Sequence, residues 1–230
     1  MTGCSGDPSY MVTRMTERTE RIVYLMRGLP CCGKSHTAVR LAGETGVVCE
    51  TDQYFYSEVG DDPHHYNFDT ALLPAARDWV LASFQAALQT GRSPIVVDRG
   101  NGRNAESRVF VELADRHGYS IEIREPDSPW WQELRVLLKY REFVADELFD
   151  QWAEALAEKS VTNHRVPVAI IRKWMRGWKH DLTVNDIRTA TTGTNDRPKR
   201  YPACTNAADN RQRQPSDSSG YRPGHSGWLD

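Results

Sequence analysis

The chain has 230 residues, with 29 basic and 31 acidic side chains giving a formal net charge of −2. That length suits one domain with a sizeable core, and so even a charge balance excludes a whole-surface basic footprint for nucleic acid, leaving only a local groove open. No apolar run approaches about 20 residues, so no membrane span is expected. The five cysteines lack paired metal spacing and read as free thiols of a reducing, cytoplasmic compartment.

Residues 1–20 are polar and carry no apolar signal-peptide core, so they are expected to form a flexible extension, with Met11 and Met15 as alternative starts. Ile22 to Met26 is a short apolar run of strand character. It feeds Arg27-Gly28-Leu29-Pro30-Cys31-Cys32-Gly33-Lys34-Ser35-His36, which fits G-x-x-x-x-G-K-[ST]. In that pattern backbone N–H groups curl around a polyphosphate, the lysine reaches the terminal phosphates and the hydroxyl faces Mg²⁺. Glycine at the bracket positions permits backbone angles and close approach that a Cβ forbids. Ser35 to Ala42 is expected to be a helix whose N-terminus faces those phosphates.

The adjacent thiols of Cys31 and Cys32 carry two readings. In one, only their backbone N–H groups matter and the side chains are replaceable. In the other, a lysine and a helix N-terminus lower a thiol pKa and make it reactive.

Gly46 to Thr51 reads as a second buried strand with Asp52 at its end, and Thr70 to Gln89 as a helix with Pro74 in its first turn. Pro94 to Asp98 is a third strand, Glu106 to His117 a helix and Tyr119 to Ile123 a fourth strand. Alternation of this kind predicts an α/β fold with a parallel sheet flanked by helices. From Trp130 to Lys159 no strand signal remains and helices are expected, followed by one from Val168 to Lys179 behind Pro167. From Arg188 on, the composition turns to Thr, Asn, Arg, Pro and Ser with seven basic residues against four aspartates. That is the signature of a disordered basic tail. The expected organisation is an extension over 1–20, a P-loop domain over 21–187 with a helical lid at about 130–165, and a tail over 188–230.

Two acids close the strands nearest the loop. Asp98 ends Ile95-Val96-Val97 as a carboxylate that orients Mg²⁺ or an acceptor would. Asp52 is placed to take a proton from an attacking hydroxyl. The cluster Asp61-Asp62 with His64-His65 lacks further ligands at metal spacing and reads as a solvated loop. Trp130-Trp131 has the two readings of base stacking and core, of which core is the commoner.

The order GLPCCGKS, TDQYF, YNFD, SPIVVDRGN, GYSIEIREPDSPW and HRVP resembles the polynucleotide-kinase-like P-loop family of AAA-type ATP-binding proteins. It is most similar to the small members related to the kinase domain of the NEDD-four-binding protein, and more distantly to phage polynucleotide 5′-kinases. The resemblance implies an α/β P-loop kinase with a helical lid, ATP and Mg²⁺ as cofactors, and phosphoryl transfer to a hydroxyl, the leading acceptor being a nucleic-acid 5′-end. It implies that Gly28, Leu29, Pro30, Cys31, Cys32, Gly33, Lys34, Ser35 and His36 hold ATP, that Ser35 and Asp98 hold Mg²⁺, and that Asp52 is the general base. Lid cations fall on Lys159 and Arg165. Cys31-Cys32 stand where the family has Gly-Ser, Asp98-Arg99-Gly100-Asn101 where it has Asp-Thr-Asn, and Lys159-Ser160 where it has Arg-Asn. A small hydroxylated acceptor and a nucleotide-binding regulator without turnover are the alternatives.

Overall fold

The structure is a computed structural model describing residues 20–57, 66–99, 104–160 and 166–190. In chain order the elements are β1 (Ile22–Met26), α1 (Lys34–Ala42), β2 (Val47–Glu50), α2 (Thr51–Ser57), α3 (Leu73–Gln89), β3 (Ile95–Asp98), α4 (Asn104–Arg116) and β4 (Ser120–Arg124). Then come α5 (Pro129–Lys139), α6 (Asp146–Ser160), α7 (Val168–Arg176) and α8 (Val184–Thr189). Among the described residues the four strands form one sheet in the order β2-β3-β1-β4, and every pairing is parallel. The predicted α/β architecture is the one observed.

Strand parity explains the layers, since successive side chains point to opposite faces. Val23 and Leu25 join Cys49, Ile95 and Val97 on one face, where α3 and α4 supply Val80, Phe84, Leu88, Phe110 and Val111. Met26 and Val96 turn to the other face and meet Ala38 and Ala42 of α1. A separate apolar cluster lies in the helical layer, where α5, α6 and α7 bring Trp131, Leu134, Leu138, Phe149, Leu156, Ile171 and Met175 together. Leu29 and Cys32 of the phosphate-loop sequence belong to this cluster and are fully buried. The helical layer is thereby packed directly beneath the loop.

Arg27, the residue before Gly28, fastens the same junction. Its guanidinium is 5% exposed, donates to Glu125 Oε1 at 3.0 Å and to the Lys179 carbonyl, and lies 3.9 Å from the Trp178 ring centre. Burial lowers its pKa, against which the Glu125 charge and hydrogen bond act. Arginine's planar fork suits three simultaneous partners of this kind.

Several expected boundaries shift. The first helix begins at Lys34, because Gly33 with φ 89° supplies the turn into it. The helix expected from Thr70 opens as a 3₁₀ turn over Thr70–Leu72, capped by Asp69, before α3 starts with Pro74 in its first turn. α7 stops at Arg176, where Gly177 caps it. The composition change at Arg188 falls inside α8, which a reciprocal Thr183–Asp186 capping box starts and buried Ile187 anchors. Arg188 itself pairs with Asp115 through two contacts of 2.8 Å. Residues 1–19 and 191–230, with the expectations for both ends, lie outside the described residues, as do Arg165 and the Asp61–His65 cluster.

Candidate active site

The loop after β1 has the geometry its sequence calls for. A Cβ on Gly28 would lie 2.3 Å from the Cys32 sulfur, so glycine there follows from the buried thiol that fills the space. Cys31 adopts φ 59°, a left-handed conformation that glycine occupies freely and that a cysteine adopts only under constraint. Ser128 at the start of α5 donates to the Cys32 carbonyl at 3.1 Å, tying the loop to the helical layer. Lys34 donates to the Leu29 carbonyl at 2.9 Å, so its ammonium lies across the loop.

Burial disfavours the Lys34 ammonium, but Cys32, Asp98, Cys31 and Asp52 together outweigh it and leave its pKa raised. The Cys32 thiol is itself pushed up to about 11. At neutral pH that thiol is uncharged.

Asp98 closes β3 and is 5% exposed. Parallel register places it opposite Met26 of β1 and Glu50 of β2. Glu50 terminates β2, and Asp52, expected at that strand end, instead sits in the first turn of α2. Ser35 donates to Glu50 Oε1 at 3.1 Å. Burial, reinforced by the Asp98 and Asp52 charges, raises Glu50 well above the usual carboxylate range. Tyr66 donates its hydroxyl to Asp52 Oδ1 at 3.0 Å. Burial and then the Asp52 charge push that phenol up, so it remains a donor at any physiological pH.

Among the residues named from the sequence, Lys34, Ser35, Asp52 and Asp98 form one electrostatic cluster at the C-terminal edge of the sheet, where ligands of open α/β sheets bind. Leu29 and Cys32 turn their side chains into the helical cluster, which leaves only their backbone to face a ligand. His36 is exposed on α1 and Pro30 half-buried. Lys159, near the end of α6, lies 4.9 Å from the Trp130 ring centre, and its charge acts on the Cys31 thiol. Trp131 is fully buried, in line with the core reading, whereas Trp130 is partly covered beneath that lysine.

Of the two readings of Cys31-Cys32, the lowered thiol pKa is the one overturned. Burial raises Cys31 more than Lys34 and Lys159 lower it, Cys32 rises to about 11, and the buried Cys49 rises to about 12. Desolvation of a thiolate outweighs one nearby cation. Sequence reasoning also passed over Glu50 and Tyr66. The first had a legible signal, an acid closing the apolar strand Val47-Val48-Cys49. The second stands at the head of the YNFD stretch, but nothing there pointed to its partner, which is fourteen residues away and met only in the tertiary structure.

Residues 23–158 match the model of a family described as AAA domain. The chain belongs to that family. NEDD4-binding protein 2 of Homo sapiens is 34% identical over 126 residues, 54% of this chain and 7% of that protein. YLP motif-containing protein 1 is 30% identical over 129 residues in both Homo sapiens and Rattus norvegicus, 47% of this chain and 6% and 9% of those proteins. The AAA domain described here thus spans less than a tenth of the length of these relatives. Its matched region begins in β1 and ends within α6, so it takes in the loop, the acids and most of the helical layer.

The Ser35 hydroxyl and the Asp98 carboxylate are oxygen donors of the kind that suit a hard cation. Among the described residues no three His, Cys, Asp or Glu side chains are grouped to cage a metal by themselves. Among the described residues no helix is long and apolar enough to cross a membrane.

Proposed function

We propose that this AAA domain is an ATP-dependent phosphotransferase that moves the γ-phosphate of ATP to a hydroxyl, with a nucleic-acid 5′-hydroxyl as the leading acceptor. The observation that carries the reading is a phosphate-loop lysine acted on by two carboxylates in different settings. Lys34 is influenced by Asp98, buried at a strand end, and by Asp52, which is hydrogen-bonded to Tyr66. A nucleotide-binding loop needs one such acid for its cation, and a second acid aligned by a tyrosine suits proton acceptance.

In this reading the loop amides and Lys34 bind the β- and γ-phosphates, and Ser35 with Asp98 would hold Mg²⁺. The bound ion would neutralise charge on the phosphate oxygens. Asp52 accepts the proton as the acceptor oxygen bonds to the γ-phosphorus and the bond to the β-phosphate oxygen breaks, releasing ADP. Tyr66 keeps the Asp52 carboxylate turned toward that proton. Lys159 approaches from the helical layer as a point charge for the transferring group, a role that resemblance also assigns to Arg165.

The test is γ-labelled ATP with Mg²⁺ and a panel of 5′-hydroxyl RNA, 5′-hydroxyl DNA, nucleosides and sugars. Label on the 5′-hydroxyl ends supports the full reading, and label on a sugar alone replaces the acceptor. ATP binding with no label on any acceptor would identify a regulator.

A further inference from the structure

Glu50 is an acid that the phosphotransferase reading leaves without a task. It closes β2, and α2 begins at the next residue, so its backbone is fixed between two regular elements. The parallel register of β2 and β3 sets it opposite Asp98. Its side chain is half-buried, and its Oε1 accepts a hydrogen bond of 3.1 Å from the hydroxyl of Ser35, which lies in the first turn of α1. The two residues are fifteen positions apart on different elements, so the contact is made by the fold. Burial and the Asp98 and Asp52 charges all work against a charge on Glu50. An acid in this place is therefore held at a cost that a neutral residue would escape.

The direction of the hydrogen bond bears on the cation. A serine hydroxyl has one proton to donate and two lone pairs. To face a cation it has to turn that proton elsewhere, since an O–H aimed at the ion sets positive charge against positive charge. Ser35 gives its proton to Glu50, which leaves the lone pairs of Oγ for another partner. Groups that hydrogen-bond to a metal ligand fix its orientation and raise its basicity in this way. We propose that Glu50 is a positioning residue for Mg²⁺, accepting the Ser35 proton and so aiming the Ser35 oxygen at the ion that accompanies the nucleotide phosphates. This rests on the phosphotransferase reading above, in which Ser35 and Asp98 hold the ion, and adds to it an acid that acts through Ser35 and touches neither ion nor substrate.

The experiment reads nucleotide binding as a function of Mg²⁺, with a non-hydrolysable ATP analogue titrated calorimetrically at a series of Mg²⁺ concentrations and in EDTA. The proteins are wild type, Ser35→Ala, Glu50→Ala, Glu50→Gln and the double variant Ser35→Ala/Glu50→Ala. Thermal unfolding of each controls for folding, and Glu50→Leu, which fills the space without an acceptor, replaces Glu50→Ala should that variant unfold. Glu50→Ala should raise the Mg²⁺ concentration at which its effect is half-maximal by about 10- to 100-fold, the range for losing a group that supports a metal ligand. Its affinity in EDTA should not fall, whereas a loop distorted by loss of a merely structural contact would bind the analogue more weakly with or without the ion. Glu50→Gln keeps an oxygen that accepts from Ser35 and should stay within about threefold of wild type. Because Glu50 acts through Ser35, the double variant should need no more Mg²⁺ than Ser35→Ala. A wild-type Mg²⁺ requirement in Glu50→Ala, an equal fall in affinity with and without Mg²⁺, losses that add in the double variant, or a folded Glu50→Gln as impaired as Glu50→Ala overturns the proposal. In each of those cases a raised requirement in Ser35→Ala leaves the metal assignment of Ser35 standing. An unchanged requirement in Ser35→Ala, or no effect of Mg²⁺ on wild type, overturns that assignment together with the proposal.

Discussion

Ser35 and Glu50 share a hydrogen bond, Oγ to Oε1 at 3.1 Å, that joins the first turn of α1 to the end of β2. It brings a carboxylate against the hydroxyl expected to face the metal, and that carboxylate is half-buried, with the Asp98 and Asp52 charges acting on it. The folded state therefore binds the Glu50 proton more tightly than the unfolded chain does.

The linkage has a definite sign. An acid with a raised folded pKa imposes no penalty below its unfolded pKa of about 4, and destabilises the folded state increasingly as pH climbs through and beyond that range. Glu50→Gln keeps an oxygen that accepts from Ser35 and removes the titration. In metal- and nucleotide-free protein the variant should match wild type near pH 4 and exceed it in stability by about 1 kcal/mol or more above pH 7. Urea unfolding midpoints across that range decide it. Parallel pH curves for the two proteins would show that Glu50 titrates normally.

Substitutions around the loop should separate binding from chemistry. Lys34→Ala should weaken ATP binding by about 10- to 150-fold, since a charge-assisted contact is lost. Asp52→Asn should leave ATP affinity nearly unchanged and lower transfer by a factor on the order of 10² to 10⁴, because a positioned base acts mainly in the transition state. Tyr66→Phe retains the ring and loses one hydrogen bond, and should lower kcat by about tenfold. Calorimetric ATP titration alongside single-turnover transfer reads both quantities. A wild-type kcat in Asp52→Asn removes that residue from the mechanism.

Thiol chemistry in the phosphate loop should be slow. With Cys31 raised by burial and Cys32 raised to about 11, native protein near pH 7 should react with iodoacetamide more slowly than an unperturbed thiol of pKa about 8.5, and the rate should climb as pH rises. Cys49, raised to about 12, should be the last of the three to react. Site-resolved mass spectrometry over time measures this directly. Rapid labelling of Cys31 or Cys32 at neutral pH would restore the reactive-thiol reading.

The end of the folded unit can be tested by two truncations. Stopping after Asp186 removes Ile187, 2% exposed in the main core, and the Arg188 pair to Asp115. Stopping after Ala190 retains both. The shorter chain should be less stable than the longer by about 2 to 5 kcal/mol, the scale of deleting one buried aliphatic side chain. Equal melting temperatures would place the boundary back at residue 187.

The strands, the phosphate loop and the alternating α/β order were legible in the sequence because each rests on local pattern. Ile22 to Met26 is apolar throughout, Gly28 and Gly33 bracket the loop, and Asp98 closes an apolar run. Such signals depend on neighbours a few positions apart and survive without knowledge of the fold. Only the tertiary structure decided which acids meet the loop and how their protons are held. Glu50 joins through the parallel register that sets it opposite Asp98, and Tyr66 joins through a contact to Asp52 that no spacing encodes. For Cys32 the sequence left two readings open, since the adjacent lysine is visible there, and the helical cluster assembled from α5, α6 and α7 decided against a lowered thiol pKa by desolvating it. Arg27 shows the same division, for its place before the loop is sequence and its burial between Glu125 and Trp178 is packing. Charge and residue type are local properties, whereas the desolvation that sets a pKa is a property of everything folded around the group.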